Sequence, residues 1–361
     1  MVSHIHSTVP QLFPDSIKII AHLRPGCVYN VKMKIQTILL LTAVLPSLAG
    51  CGNPETIVPP TSYPMVIDAD SRPWDTPYST GQVLLTDHYR IYTTIRRRPL
   101  RQYLPGLMEA AHKRYLDLTG LSDRPSNKRM PMYVMATRAE WAALTTARLG
   151  KRAGGALSIT AGGYCYAGVC VLWDIGPRAT LSVAAHEGLH QFFAHRLKQS
   201  LPMWLEEGTC VLAEGHQVHK GSLVFTPKNN PARITALRNA IVNGHWIKTG
   251  QLLPMDAGDA VGTGVAEKAV GYYGQVWALS MFIRSTPRYN KGMRRMISDA
   301  ENGRMHSALG LTAEALTALK RHGRAYNRTV SAPLFKHYIS NDLAMFDTEY
   351  LAFSRNLAGL K

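Results

Sequence analysis

The sequence predicts an α+β protein, with a small mixed sheet in its N-terminal part and a mainly helical C-terminal half. Three observations carry this. Short runs of β-branched and aromatic residues, at 83–85, 89–94, 131–136 and 165–173, alternate with helical patterns before residue 176. Beyond Pro177, apolar residues recur at helical spacing in long segments. The first of these segments contains His186-Glu187-Gly188-Leu189-His190, which on a helix puts two histidines one turn apart on one face.

At 361 residues and 46% hydrophobic, the chain is long and apolar enough for a large core. Its formal charge of +17 favours contact with anionic surfaces. No nucleic-acid-binding motif accompanies that charge, so no nucleic-acid partner is expected. The densest basic run, Arg96-Arg97-Arg98-Pro99-Leu100-Arg101, reads as a solvated surface. Neither a G-x-S-x-G nucleophile elbow nor a Walker-type glycine loop is present.

The N-terminus reads as an export segment. Met33-Lys34 precedes an apolar stretch from Ile35 to Val44, and Leu48-Ala49-Gly50-Cys51 closes it. That stretch is shorter than the ~20 residues of a membrane-spanning helix. The Leu-Ala-Gly-Cys ending resembles the lipobox of bacterial lipoproteins. The resemblance implies cleavage after residue 50, lipidation of Cys51 and, with Gly52 following, placement at the outer membrane facing the periplasm. Residues 1–32 then read as an over-extended start, 33–50 as the signal peptide, and the Pro-rich stretch 51–80 as a tether. The folded domain is expected over 81–361, as an α/β part (81–176), two motif-bearing helices (177–215) and a helical remainder (216–361).

Within the domain, Leu100, Leu104, Leu107, Ala111, Tyr115 and Leu118 mark a helix that Gly120 ends. Thr137 and Glu140 form a capping box opening a helix through Leu149. Residues 156–160 and 165–173 read as a Gly-rich hairpin, either purely structural or a substrate-holding edge. Cys165 and Cys170 flank its tip, as a disulfide or as two free thiols. Pro177 starts the motif helix, and 200–202 turn the chain into a helix from about 203 to 213. A strand at 222–226, a helix from Pro231 to Asn243, a Gly- and Asp-rich loop at 247–265 and a helix at 266–284 follow. Two or three further helices complete the chain.

His186 and His190 are suited to hold one zinc ion, and a catalytic zinc takes a third protein ligand. The spacing leaves Glu206 or Glu207 for that place. Glu187 projects beside both histidines, where a general base is needed. His195, His216 and His219 read as surface or packing residues.

The H-E-x-x-H segment and Trp204-Leu205-Glu206-Glu207-Gly208 together resemble the gluzincin (peptidase MA-like) clan, small bacterial MA-like lipoproteins and, more distantly, the aminopeptidase N family. The resemblance implies a zincin-like catalytic domain, Glu207 as third ligand and Glu214 as a partner orienting a ligand. It also implies Tyr273, in Tyr272-Tyr273-Gly274-Gln275-Val276-Trp277-Ala278-Leu279, as the group holding the oxyanion. The G-x-M-E-N amine anchor of aminopeptidase N is absent, which favours an endopeptidase. The expectation is a zinc peptidase of the cell envelope acting on peptides or proteins. The competing expectation is a gluzincin-fold lipoprotein that only binds.

Overall fold

The computed structural model describes residues 61–77, 79–124, 128–256, 266–319 and 324–360. The expected start region, signal peptide and Cys51 lie outside the described residues, as does the 247–265 loop from residue 257 on.

The architecture is α+β, a mixed sheet followed by a mainly helical C-terminal half. Six strands are involved: β2 (Asp70–Asp75), β3 (Thr80–Leu85), β4 (Tyr89–Thr93), β5 (Met130–Met135), β6 (Gly163–Tyr166) and β7 (Val169–Trp173). They lie in the order β2-β3-β4-β5-β7-β6. The β4–β5 and β5–β7 pairs are parallel and the others antiparallel, so β6 forms one edge. A second, three-stranded sheet pairs β1 (Ser62–Pro64) with β9 (Ser222–Phe225) and β9 with β8 (His216–His219).

Helix α1 (Arg98–Thr119) crosses from β4 to β5 and ends on Gly120 in the left-handed conformation, as its sequence predicts. Helix α2 (Arg138–Leu149) opens on the Thr137–Glu140 capping box. It covers one face of the sheet through Trp141, whose indole packs on Trp173 and donates to the Val171 carbonyl at 3.2 Å. The other face carries α1 and α4 (Pro177–Arg196), and α5 (Met203–Glu214) returns along α4. Beyond come α6 (Pro231–Val242), the short α7 (Thr249–Leu252) and α8 (Ala266–Ser285). The chain closes with α9 (Pro287–Asn302), α10 (Ala313–Ala318), α11 (Arg324–Tyr338) and α12 (Leu343–Leu357), one helix more than expected.

Helix α8 is wedged between α5 and α6. Trp277 on α8 and Trp204 on α5, which packs on Phe335 of α11, are fully buried, each burial contributing on the order of 2–3 kcal/mol. Among the described residues, no helix is long and apolar enough to cross a membrane.

Two expectations are corrected. The tether expected through residue 80 gives way to paired strands from residue 62. Pro64 and Pro73 suggested an unpaired stretch, but both sit on edge strands, where a missing N–H is tolerated. Trp74 packs on Tyr92 and Tyr133, and Met65 is fully buried, so these residues belong to the domain. The second correction concerns 156–160, where helix α3 (Ala153–Leu157) replaces strand. A two-residue turn at Ala167-Gly168, both at positive φ, fixes the hairpin register, and β6 begins at Gly163, just after Gly162 at φ 127°. No strand partner is left for residues further upstream.

At Gly208, α5 packs closely on α8. A Cβ there would lie 2.2 Å from Ser280 Oγ and 2.7 Å from the Val276 carbonyl oxygen. Gly208→Ala is therefore expected to destabilise the protein by about 1–3 kcal/mol. Urea denaturation with an unchanged midpoint would contradict this packing.

Candidate metal centre

Helix α4 is buried along most of its length and is anchored on several sides. Gly188 lets it approach α1, where a Cβ would lie 2.5 Å from the Tyr115 hydroxyl. That hydroxyl donates to the Ala185 carbonyl at 2.7 Å. Gln191 donates to the Pro131 and Gly168 carbonyls at 2.6 and 2.8 Å, pinning the helix to β5 and the hairpin turn. On the α5 side, Ser182 donates to the Glu214 carbonyl at 3.1 Å. These bonds fix both the height and the rotation of the motif.

The spacing now acts as expected. His186 and His190 project from one face of α4, their ring centroids 5.1 Å apart. Glu207 on α5 faces both. Its carboxylate oxygens lie 3.6 Å from His186 Nε2 and 3.8 Å from His190 Nε2. Ligand atoms of the three residues lie within 4.8 Å of one another. A zinc tetrahedron with bonds near 2.0–2.1 Å has ligand–ligand edges of about 3.3–3.4 Å, close to this spacing. Glu207 is only 8% exposed, and its Oε2 is buried without a hydrogen bond. A buried carboxylate oxygen lacking a donor fits a cation better than an empty interior.

The outer nitrogen of each histidine is held by a second carboxylate. His186 Nδ1 lies 3.0 Å from Glu214 Oε1, and His190 Nδ1 lies 2.8 Å from Glu206 Oε1. Each clamp fixes the ring and presents Nε2 inward, the arrangement that surrounds metal-ligating histidines. Glu214 is itself held by Arg233, which donates from Nη2 at 2.8 Å and Nε at 3.2 Å, and by Asn230 Nδ2 at 3.0 Å. Glu214 thus lies against the Nδ1 side of His186. Glu206, weighed in the sequence only as a rival third ligand, sits on the opposite side of His190 from Glu207. Adjacent residues on a helix point about 100° apart, so neighbouring glutamates reach different sides of one ring. Arg233 and Asn230 carry no signal in the motif and approach only through the following helix.

Charge follows from this packing. Burial disfavours an imidazolium at His186, yet the facing carboxylates of Glu207 and Glu214 raise it to about 9. At His190 burial acts the same way, and Cys210 and Glu207 beside it raise the group well above its ordinary value. Burial alone would raise Glu207, but His190 and His186 hold it well below the usual carboxylate range. Glu214, also opposed by burial, is lowered to about 2 by His186 and Arg233. Glu187 behaves differently: burial raises it, and the two histidines offset only part of that.

Tyr273 on α8 belongs to this electrostatic neighbourhood. The Glu207 charge, with burial, lifts its hydroxyl well above the ordinary value, so it stays a proton donor. The Arg233 guanidinium lies 5.0 Å from its ring centroid. Tyr272 is fully buried and its hydroxyl instead reaches the Met255 carbonyl at 3.4 Å. His195 and His219 are exposed, and His216 is buried with Nδ1 3.0 Å from the Glu214 carbonyl, so all three stay out of the ligand set. Cys210 is fully buried in α5.

Among the described residues, His88, His112 and Asp123 form a second group with metal-ligand chemistry. The His88 and His112 rings stack 3.7 Å apart at 16°, so their in-plane lone pairs run side by side instead of converging. Glu109 holds His88 Nδ1 at 2.7 Å and raises it, against burial. Burial and the neighbouring His88 lower His112 to about 4. The two rings form a stacked pair with His112 packed edge-on against Phe192.

No family model matches the chain, and no curated protein matches it. The protein is thus an α+β chain with a buried His186/His190/Glu207 cluster compatible with a zincin-like site.

Metal ligation needs neutral imidazoles, while His186 in the metal-free chain keeps its proton up to about pH 9. Zinc affinity should therefore rise with pH through neutrality, and binding at pH 7 should release protons. Calorimetry in buffers of different ionisation enthalpy measures both, and a pH-independent affinity would contradict the arrangement. Glu207→Ala is expected to lose metal more readily than Glu206→Ala, which should weaken binding roughly 10–100-fold. The reverse ranking in a metal titration would exchange their roles.

Proposed function

We propose that this protein is a zinc-dependent peptidase of the gluzincin type, hydrolysing peptide bonds at the cell envelope. The observation that carries the reading is the convergence of His186, His190 and Glu207 beside Glu187, with each histidine clamped from behind by its own glutamate. Zinc held by these three residues would supply a water of pKa about 7 and polarise a substrate carbonyl.

The protein's own groups supply the remainder. Glu187 is half-buried and raised above an ordinary carboxylate by desolvation, which favours taking a proton from water and passing it to the leaving amine. Tyr273 keeps its hydroxyl proton and is suited to donate to the oxygen that gains charge in the tetrahedral intermediate. Glu214 and Glu206 hold ring orientation, and Arg233 holds Glu214. Strand β6 is an edge strand packed against α4, which supports binding of an extended peptide by strand addition. A peptide held through its backbone needs no free N-terminus, in keeping with an endopeptidase.

The envelope location rests on the sequence alone. Lipidation of Cys51 would tether the domain through only nine residues before Thr61. At ~3.3–3.6 Å per residue, that linker spans at most about 35 Å and keeps the site near the membrane surface.

Glu187→Gln should abolish peptide hydrolysis while leaving zinc stoichiometric. The test is cleavage profiling of envelope proteins with wild type and variant, alongside metal analysis. Stoichiometric zinc with no cleavage by the wild type would turn the reading toward a binding module. Retained activity in the variant would remove Glu187 from the mechanism.

A further inference from the structure

The hairpin beside α4 carries two cysteines whose placement goes beyond packing. Cys165 on β6 and Cys170 on β7 are direct partners in the register. The turn between the strands has two residues, Ala167 and Gly168, at φ 49° and 72°. Such a turn closes on a hydrogen-bonded pair, here Tyr166 and Val169, so the next pair is the non-hydrogen-bonded one. Cα atoms in such pairs lie about 4.5 Å apart, within the ~4.4–6.8 Å that a disulfide spans. Both side chains point to the sheet face that carries α4, since Cys170 belongs to the main core and Cys165 packs against it.

The same thiol also touches the motif helix. Cys170 Sγ donates to the main-chain carbonyl of Glu187 at 3.1 Å. A thiol makes that bond and a disulfide sulfur cannot, because it has no proton to donate. Cys170 is fully buried, whereas Cys165 is half-buried on an edge strand and is the point of entry for an oxidant.

We propose that Cys165 and Cys170 form a reversible cross-strand disulfide, and that its formation replaces the Cys170–Glu187 hydrogen bond, so the hairpin has two redox states in contact with the His186–His190 helix. The oxidant class is a small disulfide such as oxidised glutathione. The Cys165 sulfur loses its proton and attacks one sulfur of the oxidant, breaking its S–S bond and releasing one thiol. The Cys170 sulfur then loses its proton and attacks Cys165, releasing the second thiol. Two protein thiols are oxidised and one disulfide is reduced to two thiols, so protons and electrons balance. The inference stands on the hairpin and does not depend on peptidase activity.

The test equilibrates the purified full chain with reduced or oxidised glutathione, quenches with acid, alkylates after unfolding and digests with trypsin. Both cysteines fall in the single peptide 153–178, and Cys210 falls in another, 199–220, as an internal reference. The oxidised sample is expected to yield peptide 153–178 without alkyl groups and about 2 Da lighter than the reduced, unalkylated mass, with Cys210 alkylated. Cys165→Ser should leave Cys170 alkylatable in either buffer. In the reduced wild type, the infrared S–H band should contain a component lowered by hydrogen bonding, which oxidation removes. Two alkyl groups on the peptide after oxidation would overturn the proposal, as would a glutathione adduct on Cys165 that Cys170 never displaces. An S–H band unchanged by bridge formation would overturn the link to Glu187.

Discussion

Six ionisable side chains, His186, His190, Glu206, Glu207, Glu214 and Arg233, share the interior between α4, α5 and α6, and none can be there alone. A buried charge is tolerable only when it is paired and hydrogen-bonded, and removing one partner leaves the other uncompensated at a cost of several kcal/mol. Here the pairing runs as a chain. Arg233 offsets Glu214, Glu214 holds His186, Glu207 spans the two histidines, and Glu206 holds His190. The chain of contacts requires α5 to run back along α4 in one register, with α6 closing behind it. Stability and site geometry are therefore set by the same constraint.

The sheet serves this arrangement by holding α4 still. Tyr115, Gln191 and Cys170 make four bonds to main-chain carbonyls, which fix α4 against α1, β5, the hairpin turn and β7. Gly188 and Gly208 remove side chains where α4 meets α1 and α5 meets α8. A helix packed on several sides is held in one rotation by its polar pins and close-packed glycines. The hairpin of β6 and β7 is part of the support, which is why its cysteines bear on the motif at all.

Local signals in the sequence were legible where one element decided the outcome. The Thr137–Glu140 capping box, the Gly120 stop and Pro177 at a helix start act through their own backbone, and each is in place. The reading of 61–77 as tether failed because prolines mark unpaired chain only when no edge is available to them. Residues 156–160 carry strand-like side chains but have no strand to pair with, since the turn register ends β6 at Gly163. Glu206 was weighed as a ligand because a linear spacing does not tell which side of an imidazole a carboxylate reaches.

By itself the sequence determined the α+β order of elements, the helical pairing of His186 with His190, and the presence of glutamates at a workable distance. These follow from backbone periodicity and chain length, which are local properties. Tertiary structure decided which carboxylate faces Nε2 and which faces Nδ1, brought Arg233 and Tyr273 to the same neighbourhood, and set Cys165 across from Cys170 beneath the motif helix. Those outcomes depend on how α4, α5, α6, α8 and one sheet edge dock, and docking is fixed by burial and charge pairing between residues far apart in the chain.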